Sequence, residues 1–301
     1  MDSKTTRLAG RPLIIGEVLF DCFDDGREVL GGAPFNVAWH LQAFGLRPLF
    51  ISRIGEDPRG EQISEAMTRW GMDRSGLQYD PLHPTGMVEI TMQDKQHSFS
   101  ILADQAYDYI DADTTLSHPG IHEAALCYSG SLIERAPASR ATVAALRARG
   151  IAHFIDVNLR TPWWQRDEVL RMLSGVRWAK LNEDELAQLG FAGAPTEAAE
   201  RMRQGFGMEL LVLTMGAEGA LLLSERGCQA GEPVPVSAMV DTVGAGDAFT
   251  AVTILGLMRG WPQRLMLQRA LAFASAQCEV QGAIREDRQW YQQCMAQWGE
   301  S

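Results

Sequence analysis

The stretch 241–247 (DTVGAGD) combines two glycines with a following acid, which are the residue types of an anion-binding loop. Residues 248–258 are almost wholly apolar, and such a segment favours a helix that is buried on all sides. Gly244, Ala245 and Gly246 therefore fall where a loop becomes a helix N-terminus. Backbone N–H groups are unpaired there and the helix dipole is positive. The spacing predicts a site for an anion, most simply a phosphoryl group.

Asp247 lies directly after this predicted anion site. A carboxylate beside an anion is repulsive unless it has a proton to accept, so one hypothesis is a general base for an attacking hydroxyl group. Aspartate is also a favoured helix cap. The residues alone leave both interpretations open.

A second glycine turn, Gly31-Gly32, precedes another predicted helix, for which Pro34 suits the first turn and Gly45 the end. At such a turn the backbone can approach a ligand closely. Asn36 lies near the helix start and offers both a donor and an acceptor. The plainer alternative for Asn36 is a solvated helix residue.

Short apolar strands alternate with amphipathic helices along most of the chain. Strands are predicted at 11–18, 49–55, 125–129, 153–158, 177–181, 210–214 and 220–223, and helices at 34–45, 60–71, 138–149, 166–173, 183–189, 196–205, 265–276 and 285–298. The pattern predicts an α/β protein whose largely parallel sheet is covered on both faces.

Polar clusters follow several of these strands, at 130–131, 156–160, 182–185 and 214–216. Ligands bind beyond the carboxyl ends of strands in such sheets, so the clusters together predict a composite active site. The alternative is that polar turns follow strands in any protein. It can account for a single cluster, but four clusters together favour an active site.

Residues 87–92 and 97–102 alternate in polarity on either side of a predicted hairpin turn, Asp94-Lys95-Gln96. An isolated two-stranded ribbon is marginally stable, so we expect it to lean on the main domain or on a second subunit. A homodimer through this ribbon is therefore one expectation.

The composition excludes several classes of protein. The net charge of −11 argues against a nucleic-acid-binding surface. The five cysteines are scattered without a CxxC pair, which argues against disulfides and zinc. No apolar run is long enough to span a membrane, and the first ten residues lack a signal-peptide core, so we expect a cytoplasmic protein.

Only three lysines occur, and none lies in a Walker-type Gly-Lys-Ser/Thr loop. Phosphoryl transfer would then depend on positioning and on charge stabilisation by backbone amides. A polyhydroxylated acceptor would need partners such as Asp21, Asn36 and Arg160. Mg²⁺ needs only one or two protein oxygens, and Asn182 and Glu185 are candidates through water. A helix cap is an equal alternative for this last pair.

Over essentially its whole length the sequence resembles the ribokinase-like (PfkB-type) carbohydrate kinases. The resemblance is carried by DTVGAGDAFTA (241–251) and by GGAPFNVAWHLQAFG (31–45) and DVNLRTPWW (156–164), which are most similar to bacterial fructokinases. GEVLFD (16–21), NEDE (182–185) and TMGAEG (214–219) follow in the expected order. The resemblance implies one domain over 1–301, a three-layer sandwich with a small β-sheet lid formed by segments near 18–31 and 86–108.

The resemblance also implies ATP as phosphoryl donor and a primary sugar hydroxyl as acceptor. Asp247 then matches the catalytic base, and Gly244, Ala245 and Gly246 match the anion hole. Sugar-binding positions match at Asp21, Gly32, Asn36 and Arg160, the last of these near the sugar or the phosphates.

For the nucleotide, the resemblance implies contacts from Asn182, Thr214, Gly216 and Gly219, with 270–275 near the adenine. Tight helix packing is an equal explanation of the small residues in 270–275. Glu185 matches a residue that holds Mg²⁺ through water, and Asp241 with the Val243 carbonyl matches a site for a monovalent cation such as K⁺.

One stretch departs from the pattern. Fructokinases of this type usually carry a Tyr-Arg pair after the second lid strand, whereas 99–104 reads FSILAD, with Leu102 and Ala103 where the pattern differs. Fructose is the first expectation for the acceptor. A different or smaller polyol, or another residue in place of the arginine, is the alternative.

Other functions fit the same fold. A ribokinase, a 2-keto-3-deoxygluconate kinase or a nucleoside kinase differs only in a few hydrogen bonds. A non-catalytic sugar or nucleotide sensor would keep the fold, but the Asp247 motif argues against it. A nicotinamide-dependent oxidoreductase is disfavoured because no strand is followed by a GxGxxG turn.

Overall fold

A computed structural model describes residues 7–93, 96–236 and 238–300 of the chain. Of the predicted turn Asp94-Lys95-Gln96, the first two residues lie outside the described residues. In the described part of the chain, no helix combines the length and apolarity that crossing a bilayer requires.

The described residues form thirteen strands. They are β1 (Arg11–Ile15), β2 (Leu19–Phe23), β3 (Glu28–Gly31), β4 (Leu49–Gly55), β5 (Leu77–Asp80), β6 (Gly86–Gln93), β7 (Gln96–Ile101), β8 (Ala124–Gly130), β9 (His153–Asp156), β10 (Trp178–Asn182), β11 (Leu210–Thr214), β12 (Ala220–Ser224) and β13 (Gly227–Gly231).

The same residues form ten α-helices. They are α1 (Ala33–Ala43), α2 (Pro58–Trp70), α3 (Ala112–Ser117), α4 (Pro137–Ala148), α5 (Arg166–Leu173), α6 (Glu183–Gln188), α7 (Pro195–Phe206), α8 (Ala245–Arg259), α9 (Gln263–Gln277) and α10 (Arg288–Gln297). Short 3₁₀ turns lie at Ala106–Tyr109, Pro119–Glu123, Leu132–Glu134 and Gly216–Glu218.

Nine strands form the larger sheet, in the order β13-β12-β11-β10-β9-β8-β1-β4-β5. The strands from β11 across to β5 pair in parallel, and β12 and β13 add antiparallel strands at one edge. The predicted α/β class with a mostly parallel sheet is confirmed. Parallel strands place all their carboxyl ends at one side of the sheet, where ligands bind in such folds.

Helices cover both faces of this sheet, which gives three layers. Along β1 the side chains alternate, so that Ile14 packs into one core while Leu13 and Ile15 pack into another. The first core includes residues of α1, α2, α8, α9 and α10. Helices α3 and α4 cover the other face beside β1, and α5, α6 and α7 cover it further along.

Helix α8 is buried along its whole middle, as its apolar sequence predicts. Every residue from Ala248 to Met258 is buried, and the helix ends at Gly260 in the left-handed conformation. Helix α8 packs between α1 and α9. A helix enclosed in this way holds its N-terminal residues in a fixed position.

The smaller sheet has the order β3-β2-β6-β7. The predicted ribbon of β6 and β7 gains its support within the chain, because β6 pairs in parallel with β2 and β2 pairs antiparallel with β3. The strands of this lid sheet end at Ile101. Ala106 and Tyr107, within the expected lid segment 86–108, are buried, and Tyr107 lies in the core beneath the larger sheet.

Arg135 fastens the end of β7 to the main body. Its guanidinium donates two hydrogen bonds of 2.7 Å to the Asp108 carboxylate and one of 2.7 Å to the Leu102 carbonyl. It also lies 4.4 Å from the ring centre of Trp163, whose indole N–H donates to the Ile101 carbonyl. Both members of the ion pair are 4% exposed. The buried ion pair of Arg135 and Asp108 therefore holds the end of the lid against the main body.

We predict that Asp108→Asn lowers the free energy of unfolding by about 3 kcal/mol, because it leaves the Arg135 charge buried and unpaired. Urea denaturation measures the change. Glu65→Gln is the matched control, since Glu65 pairs with Arg69 at the surface and its loss should cost less than about 0.5 kcal/mol. Equal losses in the two variants would contradict the prediction.

Candidate functional site

A cavity of about 560 Å³ lies between the lid and the larger sheet. The lid side is lined by Leu19, Asp21, Val88, Phe99 and Ile101. The opposite side is lined by the last residues of three neighbouring strands, Asp156, Asn182 and Thr214, and by the start of α8. The carboxyl ends of the strands therefore meet at one cavity, as the polar clusters in the sequence predict.

The predicted anion hole lies at the wall of this cavity. Gly244 begins α8 with a positive φ of 79°, and a Cβ on it would lie 2.4 Å from the Cα of Ala283. Only glycine fits this position. Gly244, Gly246 and Asp247 line the cavity. The N–H of Ala245 points elsewhere, because it donates to the Thr242 carbonyl at 3.3 Å.

Asp247 is held by Asn36. The Asn36 amide nitrogen donates to Asp247 Oδ2 at 2.8 Å. Asn36 is buried, which excludes the alternative of a solvated helix residue. Burial raises the pKa of Asp247 to about 6, and the Asn36 hydrogen bond opposes this rise. The carboxylate is thus both a stronger base than a free aspartate and ionised at neutral pH.

Asp21 and Arg160 line the same cavity as Asp247. Asp21 Oδ2 and Asn36 Oδ1 lie 3.7 Å and 4.0 Å from the point that a Cβ on Gly31 would occupy, so the two side chains converge. Burial raises the pKa of Asp21 to about 6, and the Arg160 charge lowers it. Gly32 has a φ of 107°, and its Cα packs against the Glu17 carbonyl, where a Cβ would lie at 2.7 Å.

Lys180 reaches the anion hole from β10, although it belongs to no loop motif. Its ammonium is 2.7 Å from Asp156 Oδ2 and 3.6 Å from the point that a Cβ on Gly246 would occupy. Thr250 of α8 lies 2.8 Å from the same Asp156 oxygen. Burial alone would lower the pKa of Lys180, but the Asp156 carboxylate raises it overall. A fixed positive charge therefore stands beside the helix N-terminus.

Asn182 and Glu185 form a capping box at the start of α6. Asn182 Oδ1 accepts from the Glu185 N–H at 2.8 Å, and Glu185 Oε2 accepts from the Asn182 N–H at 2.9 Å. Glu185 Oε1 accepts from the N–H of Leu159. Both side chains also line the cavity. The capping alternative is thus what the geometry shows, while each accepting oxygen has a second lone pair that these hydrogen bonds do not use.

These oxygens suit a metal that is bound mainly through water. The described residues contain no group of three or more His, Cys, Asp or Glu side chains that could hold a metal ion. Mg²⁺ keeps several waters and takes one or two carboxylates together with substrate phosphates. Glu185 and Asn182, next to the anion hole, fit that requirement.

The predicted nucleotide positions divide into two groups. Thr214 ends β11 and lines the cavity. Gly216 begins the following 3₁₀ turn, Gly219 comes directly after that turn, and neither residue lines the cavity. A Cβ on Gly219 would lie 2.1 Å from the Gly231 carbonyl oxygen, so close packing against β13 requires this glycine in any case.

The predicted cation-binding residues order the loop before α8. Asp241 Oδ1 accepts from the Val243 N–H and Asp241 Oδ2 accepts from the Gly282 N–H, both at 3.0 Å. Val243 lines the cavity and Asp241 does not. The carboxylate therefore fixes the backbone that leads into the anion hole.

Two residues that line the cavity, Lys180 and Glu17, were not predicted from the sequence as site residues. Lys180 could have been noticed as a lysine within an apolar strand, two residues before Asn182. Glu17 could have been noticed as an acid within the apolar strand predicted over 11–18. Glu17 is 4% exposed and lines the cavity.

The lid stretch 99–104 gives the cavity an apolar cover. Phe99 and Ile101 line it with Leu19 and Val88. Arg135 contacts this stretch but does not line the cavity. Asp21 is then the polar side chain that the lid contributes to the lining.

The family comparison agrees with this architecture. The profile of the pfkB family carbohydrate kinases matches residues 22–289. The chain belongs to this family. It is therefore a carbohydrate kinase, a phosphotransferase with the ribokinase-like α/β fold.

Relatives of this carbohydrate kinase include a fructokinase from Klebsiella pneumoniae, 29% identical over 91% of this chain and 92% of the relative. A crystal structure of an uncharacterized sugar kinase from Pyrococcus horikoshii in complex with ATP has a TM-score of 0.78 at 25% identity, covering 90% and 93% of the two chains. A fructokinase from Vibrio cholerae O395 with fructose, ADP and calcium ion has a TM-score of 0.78 at 24% identity, covering 91% and 94%. At this level of identity, the Vibrio cholerae structure shows only that the two proteins share a fold.

We predict that Asp247→Asn stabilises the kinase at pH 8. Because burial raises the pKa of Asp247 to about 6, the folded state binds its proton more tightly than the unfolded state does. The ionised carboxylate therefore destabilises the fold as pH rises from about 4 to 6. The variant should gain about 1–2 kcal/mol at pH 8 and nothing at pH 3.5. Urea denaturation at the two pH values measures this, and a variant less stable than the wild type at pH 8 would refute it.

Proposed function

We propose that this carbohydrate kinase transfers the γ-phosphoryl group of ATP to a primary hydroxyl of a neutral monosaccharide, with fructose as the first candidate. The observation that carries the proposal is the hydrogen-bonded pair of Asn36 and Asp247 at the N-terminus of α8, inside the cavity. A base and an anion site lie side by side there, as transfer to an alcohol requires.

Asp247 takes the proton of the acceptor hydroxyl as its oxygen attacks the γ-phosphorus. The bond between the γ-phosphorus and the bridging oxygen breaks, and ADP leaves with the bridging oxygen. General-base assistance of this kind contributes about 10²- to 10⁴-fold to the rate. The raised pKa of Asp247, about 6, makes the carboxylate a suitable acceptor at neutral pH.

The N–H groups of Gly246 and Asp247 stabilise the moving phosphoryl group, because the first N–H groups of a helix have no intrahelical partner. Lys180 supports them with a nearby positive charge. Asn182, Thr214, Gly216 and Gly219 are proposed to position the nucleotide. Mg²⁺ held by Glu185 through water would neutralise phosphate charge when bound.

The acceptor is proposed to contact Asp21, Asn36, Gly32 and Arg160, with the apolar lid closing over its ring. Fructose is supported by the similarity to fructokinases. The lid arginine of the fructokinase pattern is missing, so ribose, 2-keto-3-deoxygluconate and nucleosides are the alternative acceptors. Each of these acceptors carries a different set of hydrogen-bonding groups from fructose, and the contacts with these four residues would discriminate between the sets.

A monovalent cation at Asp241 and the Val243 carbonyl is part of the proposal. The Asp241 carboxylate orders the loop that leads into α8, so a cation at this point would stabilise the anion hole through the same loop. We expect kcat to be higher with K⁺ than with a large organic cation at the same concentration.

An ATP-consumption screen over fructose, ribose, 2-keto-3-deoxygluconate and nucleosides, with Mg²⁺ and with or without K⁺, tests the function. We expect one neutral sugar to be phosphorylated with the highest kcat/KM. Asp247→Asn should bind ATP as the wild type does and lose about 10²- to 10⁴-fold in kcat. A wild type that turns over no acceptor, while it binds sugar, would instead indicate a non-catalytic sensor.

The pH dependence should report Asp247. Because the base must be ionised, kcat/KM should fall about tenfold per pH unit below pH 6 and be constant above pH 7. Asp21 titrates in the same range, so Asp21→Asn is the control. That variant should lose acceptor affinity but keep the acidic limb. If the limb disappears in Asp21→Asn, the assignment to Asp247 is wrong.

A further inference from the structure

Glu17 occupies a buried position in the wall of the cavity. It follows β1 at the carboxyl end of the larger sheet, and its backbone carbonyl packs against Gly32. The side chain is among the cavity-lining residues with Asp21, Asn36 and Asp247, and the residue is 4% exposed. Its position is therefore at the end of the cavity where the acceptor is proposed to bind.

One carboxyl oxygen of Glu17 is left without a partner. Glu17 Oε2 is buried, and no described residue forms a hydrogen bond with it. A buried polar atom that stays unpaired costs about 1–3 kcal/mol. Asn36 Oδ1, which converges with Asp21 in the same cavity, is also buried and unpaired. Two buried oxygens without partners in one cavity indicate a ligand that supplies hydrogen-bonding groups.

The charge around Glu17 restricts that ligand. Burial raises the pKa of Glu17 to about 7; the Arg160 and Arg135 charges lower it and the Asp247 charge raises it. Three carboxyl groups, Glu17, Asp21 and Asp247, thus face this end of the cavity with one lining arginine, Arg160. Lys180 is already paired with Asp156. A carboxylate on the acceptor would be repelled, whereas hydroxyl groups would satisfy the unpaired oxygens.

We propose that Glu17 binds the acceptor by hydrogen-bonding one of its hydroxyl groups, and that with Asp21 it selects neutral polyols over sugar acids. The inference rests on the proposed kinase function and names the substrate class of that site. Glu17 is a specificity-determining residue in this account; the proton transfer belongs to Asp247.

The first measurement compares acceptor KM in the wild type, Glu17→Ala and Glu17→Gln, using the sugar with the highest kcat/KM in the screen. Glu17→Ala should raise acceptor KM by about 10- to 100-fold with the ATP KM unchanged. Glu17→Gln keeps a hydrogen-bonding group and should stay within about threefold of the wild type. Glu134→Gln is the control, because Glu134 is a buried carboxylate that pairs with Arg147 outside the cavity.

A panel of monodeoxy analogues of the same sugar separates binding from a structural role. In the wild type, removal of the hydroxyl that Glu17 contacts should lower kcat/KM by at least about tenfold, and in Glu17→Ala the same removal should change little. If Glu17 has only a structural role, removal of each hydroxyl should lower kcat/KM by the same factor in Glu17→Ala as in the wild type. If Glu17→Ala does not fold, the deoxy analogues are compared in Glu17→Leu, which removes the hydrogen-bonding group, and in Glu17→Gln, which keeps one. Thermal unfolding checks that each variant is folded.

Sugar acids test the substrate class. The wild type should prefer a neutral sugar over gluconate and 2-keto-3-deoxygluconate by at least about tenfold in kcat/KM, and Glu17→Gln should narrow this ratio. A wild type that phosphorylates a sugar acid best would overturn the inference and leave the kinase function intact. A wild type that phosphorylates no acceptor would remove the kinase function before any Glu17 variant is made.

Discussion

The hydrogen bond between Asn36 and Asp247 is the contact on which the site depends. It joins two buried helices, α1 and α8, whose residues are 211 positions apart in the chain. Burial makes the Asp247 carboxylate more basic, and Asn36 keeps it ionised and oriented. Both effects require α8 to be fixed, and its enclosure between α1 and α9 provides that rigidity. Packing of the core is thus also what positions Asp247, the proposed base.

Charge is separated along the cavity. At one end, the α8 N-terminus and the Lys180–Asp156 pair form an environment suited to phosphates. At the other end, Glu17 of the main body and Asp21 of the lid line the cavity together with apolar lid residues. Burial penalises these carboxyl groups, so they reduce the stability of the folded protein in exchange for a defined binding surface. Asp247 lies where the two environments meet, which is where the proposed mechanism requires the attacking oxygen of the acceptor.

Local sequence patterns predicted the elements with strong periodicity or strong end signals. The bounds of β4, β11 and α5 agree with those expected from the sequence. Strands β5 and β13 were missed, because Leu77–Asp80 and Gly227–Gly231 are short edge strands with few apolar residues. Tertiary pairing with β4 and β12 makes them strands. These two strands lie at the edges of the larger sheet, and their residues do not line the cavity.

The sequence by itself determined the α/β class, the glycine turn at the start of α8 and Asp247 beside it, because these follow from neighbouring residues. Only the tertiary structure decided that Lys180 reaches that turn and that Glu17 lines the same cavity with its buried Oε2 unpaired. It also showed Glu185 engaged in a helix cap. Such relations depend on which strand ends become neighbours in the sheet, and residues far apart in the chain carry no local signal of that proximity.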